Sequence, residues 1–196
     1  LFTEMKDSVY ISMVLNNMGI AYKNIKQYNK ALACYYRGLE IDKEHLQILR
    51  LSRKLNNIGY INIQLGDYEQ AQNNLHHSLI IKKWMNSKAD IALTQYNLGV
   101  CYASQRKYQH ALQNLLKAYN TSRRLKKANL TRLTAEKISQ LYYQQNDFQQ
   151  AYNYKVIANE YRDSLYNVNK TMQIGFAATH YKLKNSYLQG GRTTQK

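Results

Sequence analysis

Residues 55–81 read LNNIGYINIQLGDYEQAQNNLHHSLII, and this stretch decides the fold because it has three counterparts in the chain. Residues 15–41 read LNNMGIAYKNIKQYNKALACYYRGLEI, residues 95–121 read QYNLGVCYASQRKYQHALQNLLKAYNT, and residues 135–161 read AEKISQLYYQQNDFQQAYNYKVIANEY. The four copies begin 40 residues apart. A period of roughly 20 to 50 residues is typical of a solenoid or a similar array.

Three residue types keep this period. They are glycine at Gly19, Gly59 and Gly99, alanine at Ala31, Ala71, Ala111 and Ala151, and an aromatic ring at Tyr28, Tyr68, Tyr108 and Phe148. Glycine and alanine lack bulk, so they suit positions where two helices approach closely. We expect the large side chains, such as Tyr22 and Tyr35, to fill the remaining space between units.

Each copy is predicted to form a helix, a tight turn and a second helix. Apolar residues recur at intervals of three and four, which is helical periodicity. In the second copy Gly66 and Asp67 end the first helix, and Asp67 with Gln70 has the spacing of a capping box. Asp147 repeats this pattern in the fourth copy, whereas the first and third copies carry Gln27 and Lys107, which cap poorly.

The repeated unit resembles the tetratricopeptide repeat. The resemblance lies in the leucine at Leu15 and Leu55, the periodic glycines, the tyrosine at Tyr22, Tyr102 and Tyr142, and the aromatic-x-x-Ala step after the turn. It implies an all-α fold, namely a right-handed superhelix (an α-solenoid) of about four helical hairpins with a long C-terminal helix. The unit of 40 residues is longer than the usual 34, and no proline follows the second helix.

The predicted boundaries follow from this register. Residues 1–8 look like the tail of a preceding helix, residues 9–161 contain the four repeats, residues 162–187 extend the last helix, and residues 188–196 form a disordered tail. The repeats span about 9–44, 45–86, 87–127 and 128–161. The first residue is not methionine, which suggests an excised or processed piece of a longer protein.

The fourth copy is less regular, and the chain changes character after it. Ser139 replaces the glycine and Lys155 replaces a large apolar residue. Residues 161–174, YRDSLYNVNKTMQI, are similar to the junction that follows the repeats in bacterial sensor histidine kinases and repeat-containing transcription regulators. Leu165, Val168 and Met172 have the spacing of a short helix–helix seam, so the extension is expected to pack on the fourth copy or on a second chain.

Catalytic, metal and cofactor motifs are absent from the sequence. It has no phosphate-binding glycine loop and no nucleophile elbow, and the adjacent His76 and His77 point about 100° apart on a helix. Cys34 and Cys101 are expected to be buried free thiols, which leaves the redox compartment open. No apolar run reaches the roughly 18 residues of a membrane span. We predict no enzyme activity and no cofactor.

The candidate binding residues are polar and lie on the first helices. Asn17, Asn57 and Asn97 each stand two residues before the periodic glycine of their copy. In tetratricopeptide repeats an asparagine here grips the backbone of an extended peptide, and a primary amide offers both donor and acceptor. Lys137 occupies this position in the fourth copy and could meet a carboxylate. The remaining groove candidates are Asn24, Tyr60, Gln64, Tyr96 and Gln144.

Charge is the strongest feature of the composition, with 28 basic and 12 acidic residues and a net charge of +16. A dense basic patch lies between the third and fourth copies, at Arg123, Arg124, Lys126, Lys127 and Arg132. It is either a solvated surface that keeps the chain soluble or a surface that attracts phosphates or an acidic peptide.

The sequence therefore predicts a non-catalytic module that binds a protein or peptide, as the sensory or scaffold part of a larger bacterial signalling or regulatory protein. Two alternatives stay open. One is a nucleic-acid-binding accessory protein, argued from the net charge, and the other is an oligomerisation module that forms a homodimer through its C-terminal helix. The ligand and the compartment, cytoplasmic or periplasmic, stay undetermined.

Overall fold

The computed structural model describes residues 2–190, and it describes side chains for residues 7–173, 175, 176 and 179. Within this range the chain forms eight α-helices and no strand. They are α1 (Phe2–Asn24), α2 (Tyr28–Glu44), α3 (Ile48–Leu65), α4 (Tyr68–Trp84), α5 (Lys88–Ser104), α6 (Tyr108–Arg124), α7 (Ala128–Gln144) and α8 (Phe148–Gly190). Consecutive helices pack in pairs, which confirms the all-α solenoid of four hairpins with a long last helix.

From α2 onward the helices begin at intervals of 20 residues, so two helices make up each 40-residue repeat of the sequence. Each turn contains one residue with positive φ, and these residues are Lys26, Leu46, Gly66, Asn86, Arg106, Lys126 and Asn146. The next amide bonds back to the carbonyl five residues earlier, as Gln27 N does to Tyr22 O at 2.9 Å. This is the Schellman motif, and here it closes every helix that precedes a turn.

The predicted capping difference is confirmed. The carboxylate of Asp67 accepts a hydrogen bond from Gln70 N, and that of Asp147 accepts one from Gln150 N, both at 3.1 Å. Gln27 and Lys107 make no side-chain capping bond. Gly66 is the only glycine among the seven positive-φ turn residues.

The repeated spacing of small and large residues in the first three hairpins has a direct steric cause. A Cβ added to Gly19 would lie 2.5 Å from the Tyr35 ring, and one added to Gly99 would lie 2.5 Å from Leu115 Cγ. The large residue thus stands 16 positions after the glycine and packs onto it. In the fourth copy Ser139 instead donates a hydrogen bond to Ala151 O at 2.6 Å, and Lys155 is exposed.

The buried apolar side chains form three clusters, each shared between neighbouring repeats, as expected for a solenoid. Cys34 and Cys101 are buried free thiols, as predicted. A polar network also lies at the first junction. Lys54 Nζ donates to Asp42 Oδ2 and, at 2.8 Å, to Ser12 Oγ, and all three side chains are buried.

The ends of the chain differ from the prediction. Residues 2–8 belong to α1, which runs without a break from Phe2 to Asn24. The last helix continues past residue 187 to Gly190, and residues 191–196 of the predicted tail lie outside the described residues. Val168 and Met172 are 54% and 57% exposed, so this part of α8 does not pack on the fourth copy.

Candidate functional site

The first helices of the hairpins, α1, α3, α5 and α7, form one side of the solenoid, which we call the first-helix face. Within it α3 contacts α5 and α5 contacts α7 directly. Residues at the same repeat position therefore follow one another along this face. It carries all nine of the predicted groove residues, since each lies on one of these helices.

The three repeated asparagines have different environments. Asn17 is exposed and Asn57 is half-buried, but Asn97 is only 5% exposed. Asn97 Nδ2 donates a hydrogen bond to Asn56 Oδ1 at 3.2 Å, across the junction between the second and third repeats. Asn97 is therefore not exposed to a ligand as a groove residue would need to be, and its donor group already serves a structural bond.

Asn17 lies in a small polar cavity between α1 and α3. The cavity measures about 150 Å³ and is lined by Met13, Asn16, Asn17, Arg50, Arg53 and Lys54. Arg50 Nη1 donates to Val9 O at 3.4 Å, and Arg53 pairs with Asp90 of α5 at 3.4 Å. Among the described residues Arg50 has no carboxylate within ion-pair distance.

Arg50 and Arg53 were not among the binding residues predicted from the sequence, although the spacing of Arg53 from Asn57 could have indicated Arg53. Arg53 stands four residues before Asn57, and residues four apart share a helix face. The pairing with Asp90 depends on how α3 packs on α5, which the sequence pattern does not show.

A second cavity lies at the other end of the face, between α5 and α7. It measures about 190 Å³ and is lined by Val100, Ala103, Ser104, Lys137, Gln140, Leu141 and Gln144. The structure thus brings the predicted residues Lys137 and Gln144 together. Lys137 Nζ donates to Gln140 Oε1 at 3.1 Å and, within the described residues, pairs with no carboxylate.

Two of the predicted groove residues are tyrosines, Tyr60 on α3 and Tyr96 on α5. Lys23 Nζ lies 5.4 Å from the ring centre of Tyr60, and Tyr60 and Tyr96 are both half-buried. Burial raises the pKa of both phenols, and each is raised further by a neighbouring tyrosine, so both are neutral hydrogen-bonding groups at neutral pH. Asn24 and Gln64 are exposed near the ends of α1 and α3.

The predicted basic patch is divided by the structure. Arg123, Arg124, Lys126 and Lys127 are exposed at the turn between α6 and α7. Arg132 instead lies on α7, where it pairs with Glu136 at 3.3 Å, and Glu136 also meets Lys155 at 3.4 Å. Arg132 therefore contributes to the first-helix face and not to the exposed patch.

No metal-binding group of three or more His, Cys, Asp or Glu residues exists among the described residues. Burial, together with the neighbouring His77 and Lys83, lowers the pKa of His76, and its Nε2 lies 3.3 Å from the Tyr102 hydroxyl. No helix in the described part of the chain is long and apolar enough to cross a bilayer.

Comparisons with known proteins agree with this architecture. Sequence profiles described as tetratricopeptide repeats match residues 12–45 and two overlapping stretches, 50–124 and 90–154. The overlapping stretches alone span more than half of the chain. No curated protein matches the sequence.

Two solved structures share the fold. BtubC (BKLC) from P. vanneervenii is 21% identical with a TM-score of 0.69, and the alignment covers 79% of this chain and 64% of that one. The apo form of RapI is 22% identical with a TM-score of 0.70, and the alignment covers 81% of this chain and 44% of that one. The chain thus spans less than two thirds of either neighbour.

Proposed function

This chain belongs to the tetratricopeptide repeat family, whose repeats are typically non-catalytic interaction modules, and we propose that it binds an extended peptide along its first-helix face without catalysing a reaction. The observation that carries the proposal is the position of Asn17. Its exposed amide lies in a polar cavity with Arg50, one repeat away from the half-buried Asn57.

The proposed ligand path runs from the α1–α3 cavity to the α5–α7 cavity. Asn17 and Asn57 hydrogen-bond the peptide backbone, because a primary amide pairs with a peptide unit whatever its side chains are. Arg50 at one end and Lys137 at the other favour a peptide with acidic groups. Asn97 has a supporting role. Its hydrogen bond holds the side chain of Asn56, the residue that precedes Asn57.

The test is selection of peptides from a displayed random library on the wild-type chain, followed by affinity measurement for the selected peptides. We expect Asn17→Ala with Asn57→Ala to weaken binding by about tenfold to a hundredfold, since each lost neutral hydrogen bond is worth ~0.5–1.5 kcal/mol. The matched control is Asn73→Ala with Asn120→Ala, which removes two exposed amides from second helices.

Equal loss in both double variants, or unfolding of the Asn17 and Asn57 variant in a thermal melt, would contradict the proposal. Adding Asn97→Ala is expected to lower stability as well as binding, because it breaks the buried bond to Asn56.

The proposed setting is a larger bacterial signalling or regulatory protein in which this module is the sensory or scaffold part. It is supported by the junction-like residues 161–174 at the end of the repeats. The sequence that follows residue 196 in the full gene tests it. A membrane span or a helix-turn-helix domain there is expected, and an immediate stop codon would contradict it.

A further inference from the structure

The turns between helices lie at two opposite edges of the solenoid. Consecutive helices are antiparallel, so the turns that join one repeat to the next, at 45–47, 85–87 and 125–127, share one edge. We call it the inter-repeat edge. The turns inside the hairpins, at 25–27, 66–67, 105–107 and 145–147, share the other, the intra-repeat edge.

Large apolar side chains project from the inter-repeat edge. Leu46 is 79% exposed and Trp84 is 74% exposed, and Met85 next to Trp84 is also exposed. Leu46 has φ 52, a left-handed conformation that disfavours a residue with a large side chain. Neither burial nor backbone geometry explains a leucine at this position, so its presence points to a contact outside the fold.

The same edge is strongly cationic at its second and third turns. Six exposed basic side chains lie there: Lys83, Lys88, Arg123, Arg124, Lys126 and Lys127. Asp90 lies near the second turn, where it pairs with Arg53 at 3.4 Å, and no aspartate or glutamate occurs between residues 91 and 135. The acidic Glu44 is confined to the first turn, close to Leu46.

We propose that the inter-repeat edge docks on an anionic lipid bilayer, with Leu46, Trp84 and Met85 entering the interface and the basic turns meeting lipid phosphates. Exposed apolar residues beside Lys and Arg are the chemistry of interfacial binding. The aliphatic Leu46 and Met85 have no ring to stack on a nucleobase, so this edge fits hydrocarbon better than a nucleic acid. Trp84 suits the headgroup level, where tryptophan is enriched.

The chain contains one tryptophan, so its fluorescence reports this edge directly. The experiment mixes the chain with phosphatidylcholine vesicles that either contain or lack phosphatidylglycerol. We expect a blue shift of Trp84 emission and co-sedimentation only with the anionic vesicles, and both effects should weaken as salt is raised. No shift on either vesicle, or an equal shift on both, would overturn the proposal.

A charge variant and its control use matching turns. Lys126→Gln with Lys127→Gln is expected to lower the vesicle partition coefficient by about twenty-five-fold, since each surface cation contributes roughly fivefold. Arg106→Gln with Lys107→Gln changes the same two turn positions on the intra-repeat edge and should leave partitioning unchanged.

An apolar pair tests insertion separately. Leu46→Ser should reduce co-sedimentation, whereas Ile25→Ser, an exposed residue at the intra-repeat edge, should not. Thermal melts check that both variants stay folded. A short single-stranded RNA is the competing ligand, and if it shifts Trp84 emission while anionic vesicles do not, the bilayer proposal is wrong.

Discussion

Ala111 shows how one methyl group sets the distance between helices. It is fully buried in the cluster shared by the third and fourth repeats, and its carbonyl lies 3.2 Å from where a Cβ on Gly99 would stand. Because Ala111 is fully buried, a longer side chain at this position would force α6 away from its neighbours.

We expect Ala111→Arg to destabilise the chain by more than the ~1–3 kcal/mol of simple overpacking, because it also buries an unpaired charge. Thermal or urea unfolding measures the loss. Gln113→Arg, at an exposed position on the same helix, is the control and should leave the midpoint almost unchanged. An unchanged midpoint for Ala111→Arg would mean that the register assigned to the third repeat is incorrect.

Lys82 is a second residue whose buried environment changes a measurable property, its pKa. Its side chain is 1% exposed, and Nζ donates to Thr94 Oγ1 at 2.8 Å. Burial lowers the pKa of Lys82 from 10.5 to about 8, an effect that Asp90 opposes and Arg53 reinforces. The folded state therefore loses this proton at lower pH than the unfolded state.

The sign of the pH dependence follows from that difference. Between about pH 8 and pH 10.5 the unfolded chain binds more protons at Lys82 than the folded chain does. The free energy of unfolding therefore rises with pH in this range. We expect the free energy of unfolding of the wild type, relative to Lys82→Met, to rise by on the order of 2 kcal/mol from pH 7 to pH 10.

Lys83→Met, at the exposed neighbour, is the control and should show no such difference. In Lys82→Met the Thr94 hydroxyl keeps its bond to Asp90 O, so no buried donor is left unpaired. A constant difference between wild type and Lys82→Met across this pH range would contradict the prediction.

At the scale of the element, α8 is the helix that changes its surroundings along its length. Ala151 and Ala158 are buried inside the fourth repeat, and the same stripe continues through Leu165 to the exposed Val168 and Met172. An amphipathic helix without a partner is only marginally stable in water. We therefore predict that this part of α8 pairs with α8 of a second chain.

Val168→Lys with Met172→Lys should weaken the dimer by at least about tenfold, because it places charge in the seam. Light scattering across a concentration series measures the solution mass. Gln173→Lys, at a neighbouring exposed position, is the control. A wild-type chain that stays monomeric, or hydrogen exchange that finds residues 161–173 unprotected, would exclude the pairing.

At the scale of the whole molecule, the net charge of +16 acts against compactness. The described ion pairs are mostly exposed, and the buried pair of Lys54 and Asp42 is the exception. Exposed pairs contribute little to stability, so they offset little of the repulsion among 28 basic residues.

We expect the melting temperature to rise by roughly 2–4 °C between low and physiological salt, which corresponds to about 1 kcal/mol for a chain of this size. Differential scanning calorimetry in sodium chloride gives the value. A variant with Lys126→Glu and Lys127→Glu carries less net charge and should show a smaller rise. A fall in melting temperature with salt would contradict the prediction.

The sequence by itself determined the repeat, its register and the helical hairpins. Period and steric fit are local properties, since Gly19 needs a large residue 16 positions later and Asp67 caps the helix that follows it. These features recur at fixed spacing, so a pattern of residue types is enough to reveal them. The row of asparagines on the first helices was predictable for the same reason.

Only the tertiary structure decided which groups are free to bind. Asn17, Asn57 and Asn97 share one repeat position. Only Asn97 is buried, and its side chain donates a hydrogen bond to Asn56 of the preceding repeat. Arg132 does not belong to the exposed basic patch, because it lies on α7 and pairs there with Glu136. Such differences arise at junctions between repeats, where the contact partner is a different residue in each copy, and a periodic pattern carries no information about them.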